Sequence, residues 1–187
     1  MERQEYKAII AADRYRWREE NNVILIPQYR FMRLKRFCNY WKEHNKVVFI
    51  IGRIAYEHYK RKYNTDIPAS TQIGYGCKIR HLGGIVINPG VVIGNNVDIL
   101  NGVLLGQLDR GRKKGTPKIG NNVFIGTNAI VVGKINVGDD VVIAPGSYVN
   151  YDVPSHSIII GNPGKIIARE NASLDQISNI YREEINA

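Results

Sequence analysis

The sequence predicts a mainly β protein, a parallel solenoid of hexapeptide repeats preceded by a helical N-terminal segment. Three observations carry this. Apolar residues return every sixth position through Ile87, Ile93, Ile99 and Leu105, and again through Ile119, Ile125, Val131, Val137, Ile143 and Val149. The following residue is usually small (Gly74, Gly94, Gly106, Gly120, Gly126, Gly138, Ala144), and the position four after the register residue is β-branched or small. Turn chemistry recurs at Asn95-Asn96, Asn121-Asn122 and Asp139-Asp140. A period of six matches neither a helix nor one long strand, so the chain must turn after each short strand. If three hexads close one coil, each coil buries its apolar face only against its neighbours.

Residues 1–64 read as helical and basic. An early stretch around Tyr6 to Trp17 is separated by Pro27 from a second, in which Leu34, Phe37, Cys38 and Trp41 share a face. Val47, Ile50, Ile51, Ile54, Ala55 and His58 continue that spacing in a further helix, with His58 at the edge of the core. Residues 1–62 hold 15 Lys and Arg against 7 Asp and Glu, which accounts for most of the formal charge of +9. Arg30, Arg33 and Arg36 recur at three-residue spacing, a basic stripe suited to a solvated face or to peripheral contact with an anionic membrane surface. Nucleic acid is not an expected partner, because none of its recognition motifs is present.

Cys38 and Cys77 stand apart with no paired spacing, so neither a disulfide framework nor a zinc site is indicated. Cys77 fills a small-residue slot of the repeat. The first residues are charged and the longest apolar run, Val47 to Ile51, is far short of a spanning helix. The expected location is the cytoplasm, with the inner face of the membrane as an option.

The solenoid covers residues 65–168, and residues 169–187 read as a helical tail. Its register breaks twice, and breaks in a solenoid are where function projects. Two extra residues fall in Arg80-His81-Leu82-Gly83-Gly84, and a loop of residues 107–117, rich in Gly, Arg and Lys, is inserted between Leu105 and Ile119. The loop is expected to hang close to His81. An imidazole titrates near neutrality and suits general-base work. Asp66, fifteen residues earlier, is the candidate to orient it.

Asp66-Ile67-Pro68-Ala69, Ile73-Gly74, Arg80-His81-Leu82-Gly83-Gly84-Ile85-Val86-Ile87 and Gly161-Asn162-Pro163-Gly164-Lys165 together resemble the hexapeptide-repeat acyltransferases. Within them the pattern is similar to the serine acetyltransferase branch, including its relatives in capsule and exopolysaccharide clusters. The resemblance implies a left-handed β-helix, a homotrimer with sites between subunits, and acetyl-CoA as co-substrate without a metal. It implies His81 as general base and Asp66 as its orienting partner. Gly106, Gly126, Thr127, Ala144 and Pro145 match positions along which the pantetheine arm lies, with Lys165 available to nucleotide phosphates.

The departures bear on the acceptor. The serine enzymes carry an acidic residue directly before the matching histidine and an Arg-His pair closing the loop; here these are Arg80 and Gly115-Thr116. A cation where an ammonium should sit is a like-charge clash. The expectation is therefore an O-acetyltransferase acting on a sugar hydroxyl of a surface polysaccharide or its precursor, with Arg80, Gly83, Arg110 and Arg112 at the acceptor. Serine O-acetylation in cysteine biosynthesis is the alternative, and a non-catalytic scaffold is the alternative of another class. N-acetylation of an amino sugar is a nearer competitor, and a zinc enzyme lacks a third histidine in the repeat, which contains only His81 and His156.

Overall fold

The computed structural model describes residues 1–182. Three helices come first: α1 (Arg3–Tyr15), α2 (Pro27–His44) and α3 (Lys46–Lys62), with a 3-10 turn at Val23–Leu25. Pro27 opens α2, where its missing N–H is no loss, and the Asn45 side chain caps α3 by accepting from the N–H groups of Val47 and Val48.

Beyond the helices the chain winds round a triangular solenoid and visits three parallel sheets in strict rotation. The first holds β1 (Gln72–Ile73), β4 (Val92–Ile93), β7 (Lys118–Ile119) and β10 (Asn136–Val137). The second holds β2 (Lys78–Ile79), β5 (Asp98–Ile99), β8 (Val123–Ile125), β11 (Val141–Ile143) and β13 (Ser157–Ile160). The third holds β3 (Val86–Ile87), β6 (Leu104–Gly106), β9 (Ile130–Val132) and β12 (Tyr148–Val149). The fold is a left-handed β-helix, as the resemblance implied.

The hexad register is its core. Ile87, Ile93, Ile99, Leu105, Ile119, Ile125, Val131, Val137, Ile143 and Val149 are all buried, and Cys77 packs among them. Register pairing stacks Ile79 on Ile99, then on Ile125, Ile143 and Ile159. At the corner entering the second sheet, Asn96, Asn122, Asp140 and His156 all take positive φ, which Asn and Asp tolerate through local hydrogen bonding. One residue earlier, side-chain oxygens bind coil to coil: Asn95 accepts from Tyr75 N–H, Asn121 from Asn95 N–H and Asp139 from Asn121 N–H. A glycine precedes them for lack of room, since a Cβ on Gly94 would lie 2.6 Å from the Gly120 carbonyl oxygen.

The helices close the N-terminal mouth. Phe31, Met32, Cys38 and Tyr56 join the same apolar cluster as Ile67, Ala69, Ile79 and Ile85, and the Tyr56 hydroxyl donates to the Ile67 carbonyl at 2.7 Å. A solenoid end left open would expose apolar side chains to water. Two expectations for this segment are corrected. The α3 face formed by Val47, Ile50, Ile51 and Ile54 is exposed, as is His58, because α3 meets α2 through Gly52 and Tyr56 instead. Nor is Arg36 part of a surface stripe: it is buried against Asp13 at 2.9 Å and donates to the carbonyls of Ile73 and Gly74.

Lys35 is also internal, its ammonium donating to Asn39 Oδ1 and to the carbonyls of Thr71 and Ala69. Burial, reinforced by neighbouring Arg36 and opposed by Cys77, Asp13 and Cys38, lowers it to about 7. Above that pH the folded chain releases this proton while the unfolded chain holds it, so the contribution of Lys35 to stability rises with pH. Urea denaturation of wild type and Lys35→Met at neutral and mildly alkaline pH should show the difference moving in the wild type's favour as pH rises. A pH-independent difference would mean Lys35 keeps its charge.

The helical tail expected over residues 169–187 is absent from the described part. Strand β14 (Lys165–Ala168) pairs antiparallel with β13, turns follow through Gln176, and residues 183–187 lie outside the described residues. The outward side chains of the second sheet explain the path: Phe124 and Val142 are apolar and are covered by Ala172 and Ile177. Asp140 anchors the strap through the N–H groups of Ala172 and Ser173, and Asn96 pairs with the backbone of Tyr181.

Candidate active site

His81 stands at the corner where the second sheet gives way to the third, two residues beyond Ile79. It is exposed, while its surroundings are held firmly. The Arg80 N–H donates to Ile99 O and the Arg80 carbonyl accepts from Gln28 Nε2 at the start of α2. Gly83 N–H donates to Thr65 Oγ1 and Gly84 N–H to Asn64 O, both glycines taking positive φ. The two extra residues thus bulge out under control, and Leu82 packs against the core.

The same register places Asn101, Thr127 and Pro145 in one column with His81, each two residues past its stacked isoleucine. Thr127 Oγ1 donates to Asn101 Oδ1 at 3.1 Å. One residue earlier stand Gly126 and Ala144, so four of the residues expected to hold a pantetheine arm share the histidine's edge. Their fit to such a ligand is reasonable: side chains are short, and the Thr127 N–H makes no hydrogen bond among the described residues. Coil packing by itself demands Gly126, whose added Cβ would lie 2.6 Å from the Pro145 nitrogen. Gly106 belongs to the next corner, at the end of β6, and Lys165 is exposed on β14.

Three expected contacts are not made. Asp66 lies in the ladder beside Ile85 and Ile87, but its exposed carboxylate pairs with Lys60 Nζ at 2.8 Å. Among the described residues, no hydrogen bond joins it to His81. The loop of residues 107–117 leaves the third sheet one corner beyond His81 and folds over later coils: Leu108 pairs with Gly115, Lys113 O accepts from Lys134 N–H, and Lys113 Nζ donates to Asn150 O. Arg110 and Arg112 are exposed on it. Among the described residues, no hydrogen bond or ion pair joins the loop to His81.

Arg80 is the third. Its guanidinium donates to Asp98 Oδ2 at 2.6 Å and to the Gln176 carbonyl, over the Phe124 ring. Asp98 is fully buried and also binds Arg16, which donates to the carbonyls of Gly76 and Ser178. Burial raises the Asp98 carboxyl above its ordinary range, opposed by Arg16 and Arg80. No spacing rule in the sequence links positions 16, 80 and 98; only the stacking of β2 on β5, with α1 alongside, brings them together.

Residues 116–150 match the family model described as bacterial transferase hexapeptide (six repeats). Serine acetyltransferase 2 of Arabidopsis thaliana is 41% identical over 105 residues, covering 56% of this chain and 32% of that protein. The serine acetyltransferase of Bacillus pumilus (strain SAFR-032) is 33% identical over 142 residues, 68% of this chain and 65% of that one. The chain therefore spans about a third of the first relative and just under two thirds of the second. Among solved structures, the Neisseria gonorrhoeae serine acetyltransferase in complex with serine superposes with a TM-score of 0.74 at 27% identity, covering 89% of this chain and 70% of that one. The Brucella abortus (strain S19) serine acetyltransferase gives 0.76 at 25%, covering 91% and 72%. These names overturn the expectation of a polysaccharide acceptor. The argument for it assumed a free Arg80, and that guanidinium is neutralised by Asp98.

Proposed function

We propose that this chain is a serine O-acetyltransferase, transferring the acetyl group of acetyl-CoA to the hydroxyl of L-serine with His81 as general base. The observation that carries the reading is the corner itself. An exposed imidazole on a fixed backbone heads a column of short side chains, in a chain whose relatives are named for this reaction. Acetyl-CoA, when bound, supplies an activated thioester. His81 takes the proton of the serine hydroxyl as its oxygen attacks the thioester carbonyl, so that the new C–O bond forms and the C–S bond breaks. The imidazolium then returns the proton to the leaving sulfur, which balances the transfer as O-acetylserine and free CoA.

Thr127 and Pro145, with the backbone of Gly126 and Ala144, would hold the pantetheine arm. Asp66 is proposed to orient His81. Its segment is tied to the histidine's corner through Asn64 and Thr65, and its carboxylate must exchange Lys60 for the imidazole. A homotrimer belongs to the same proposal: the exposed Arg110 and Arg112, on a loop anchored to later coils, would serve the histidine of a neighbouring copy.

Thiol release from acetyl-CoA with L-serine, compared with a panel of nucleotide sugars, tests the acceptor. Release should depend on serine. Absence of serine-dependent release from folded protein would sink the assignment.

A further inference from the structure

The helical segment contains a cleft of about 470 Å³ between α1, α2, α3 and the 3-10 turn, whose lining includes neither His81 nor the residues of its column. Its floor is apolar, made by Leu34, Phe37 and Ala55, while Arg14, Arg30 and Arg33 stand round it. All three arginines are exposed, and among the described residues none has a carboxylate partner. Arg30 and Arg33 lie instead over the rings of Tyr59 and Tyr29, which line the same cleft. By contrast Arg36 is paired with Asp13, Arg53 with Glu57 and Arg16 with Asp98, while Arg18 and Arg61, also without a carboxylate partner among the described residues, donate to the Tyr15 hydroxyl and the Glu57 carbonyl and do not line the cleft. Three unpaired guanidiniums converging on one apolar hollow are a recognition surface for an anion that carries an apolar body.

The rim indicates which anion. Ile24, at the mouth of the cleft, is 67% exposed. Ile51 stands one helical turn before Ala55 on the same face of α3 and is 64% exposed, and Ile54 beside it is 66% exposed. Large aliphatic side chains left in water next to a cationic hollow match a bilayer surface, where the cations meet anionic headgroups and the aliphatic groups enter the acyl boundary. The excess of 15 basic over 7 acidic residues in positions 1–62 has the sign this requires.

We infer that the cleft between the N-terminal helices binds the anionic headgroup of a bilayer lipid, with Arg14, Arg30 and Arg33 on the headgroup and Ile24, Ile51 and Ile54 in the interface. The cleft shares no lining residue with the acetyl-transfer corner, and the inference stands or falls independently of the proposed reaction.

The experiment is co-sedimentation of the full chain with vesicles of phosphatidylcholine alone and of equal parts phosphatidylcholine and phosphatidylglycerol. Binding should require phosphatidylglycerol and weaken with salt. The triple variant Arg14→Gln, Arg30→Gln, Arg33→Gln should bind on the order of 100-fold more weakly, about a factor of five per cation. Its thiol-release rate should be unchanged. Ile51→Ser with Ile54→Ser should also reduce binding, at unchanged assembly mass. Failure of the wild type to sediment with phosphatidylglycerol, or undiminished binding by the triple variant, overturns the inference. A change of assembly mass in the isoleucine variant would show that the apolar face meets a second copy of the chain, and overturns it too. So would saturable binding of inorganic phosphate, at constant ionic strength, by a protein that does not sediment with vesicles.

Discussion

Replacing His81 by alanine is expected to lower kcat/KM for acetyl transfer to serine by about 10²–10⁴, the range associated with a positioned general base. The loss should fall on turnover and leave the fold in place. His81 is exposed at a corner whose geometry is kept by backbone and neighbouring groups: Gln28 on the Arg80 carbonyl, Thr65 on Gly83 and Asn64 on Gly84. None of these contacts involves the imidazole. Circular dichroism and thermal melting should therefore superpose on the wild type while thiol release falls. Asp66→Asn should cost less, because a reorienting partner contributes less than the base it serves. A His81→Ala protein that retains full rate would remove the histidine from the mechanism, whatever the acceptor proves to be.

Asp98→Ala should give the largest loss of stability. Asp98 is fully buried between Arg16, also fully buried, and the partly buried Arg80, with Lys78 near enough to favour its ionised form. Removing one member of a buried ion cluster leaves uncompensated charge and costs about 3–5 kcal/mol. For a chain of this size that is a fall in Tm of roughly 6–20 °C. The effect should extend beyond the pair. Arg16 and Arg80 also donate to the carbonyls of Ser178 and Gln176, so the strap over Phe124 and Val142 should become a preferred site of proteolysis. A Tm within a degree or two of the wild type would show that the two guanidiniums find other partners. Asp98→Asn keeps the shape and removes the charge, and so separates packing from electrostatics.

Much of the architecture is legible because it is periodic. A register residue every sixth position, a small residue after it and Asn or Asp at the corner each report a local requirement, and together they suffice for a three-sided solenoid. His81 is legible for the complementary reason, that an insertion in a regular repeat marks a position the repeat does not explain. The acceptor argument failed where it depended on one side chain's direction. Arg80 adjoins His81 in sequence, but His81 stands at the corner after β2, and the partner that neutralises Arg80 lies eighteen residues on, across the coil stack. Helical spacing failed similarly in α3. Val47, Ile50, Ile51 and Ile54 share a stripe, yet periodicity shows only that a face is apolar, and not what covers it.

The sequence by itself determined the hexad β-helix, the basic helical front and the position of the exposed histidine, because each follows from patterns among residues close along the chain. Only the tertiary structure decided that Arg80 is spent on Asp98, that Asp66 pairs with Lys60, that the charged loop is anchored to later coils at Lys134 and Asn150, and that the tail is a strap. Those outcomes depend on contacts between coils and on competition among partners distant in sequence, where a buried or nearer opposite charge wins.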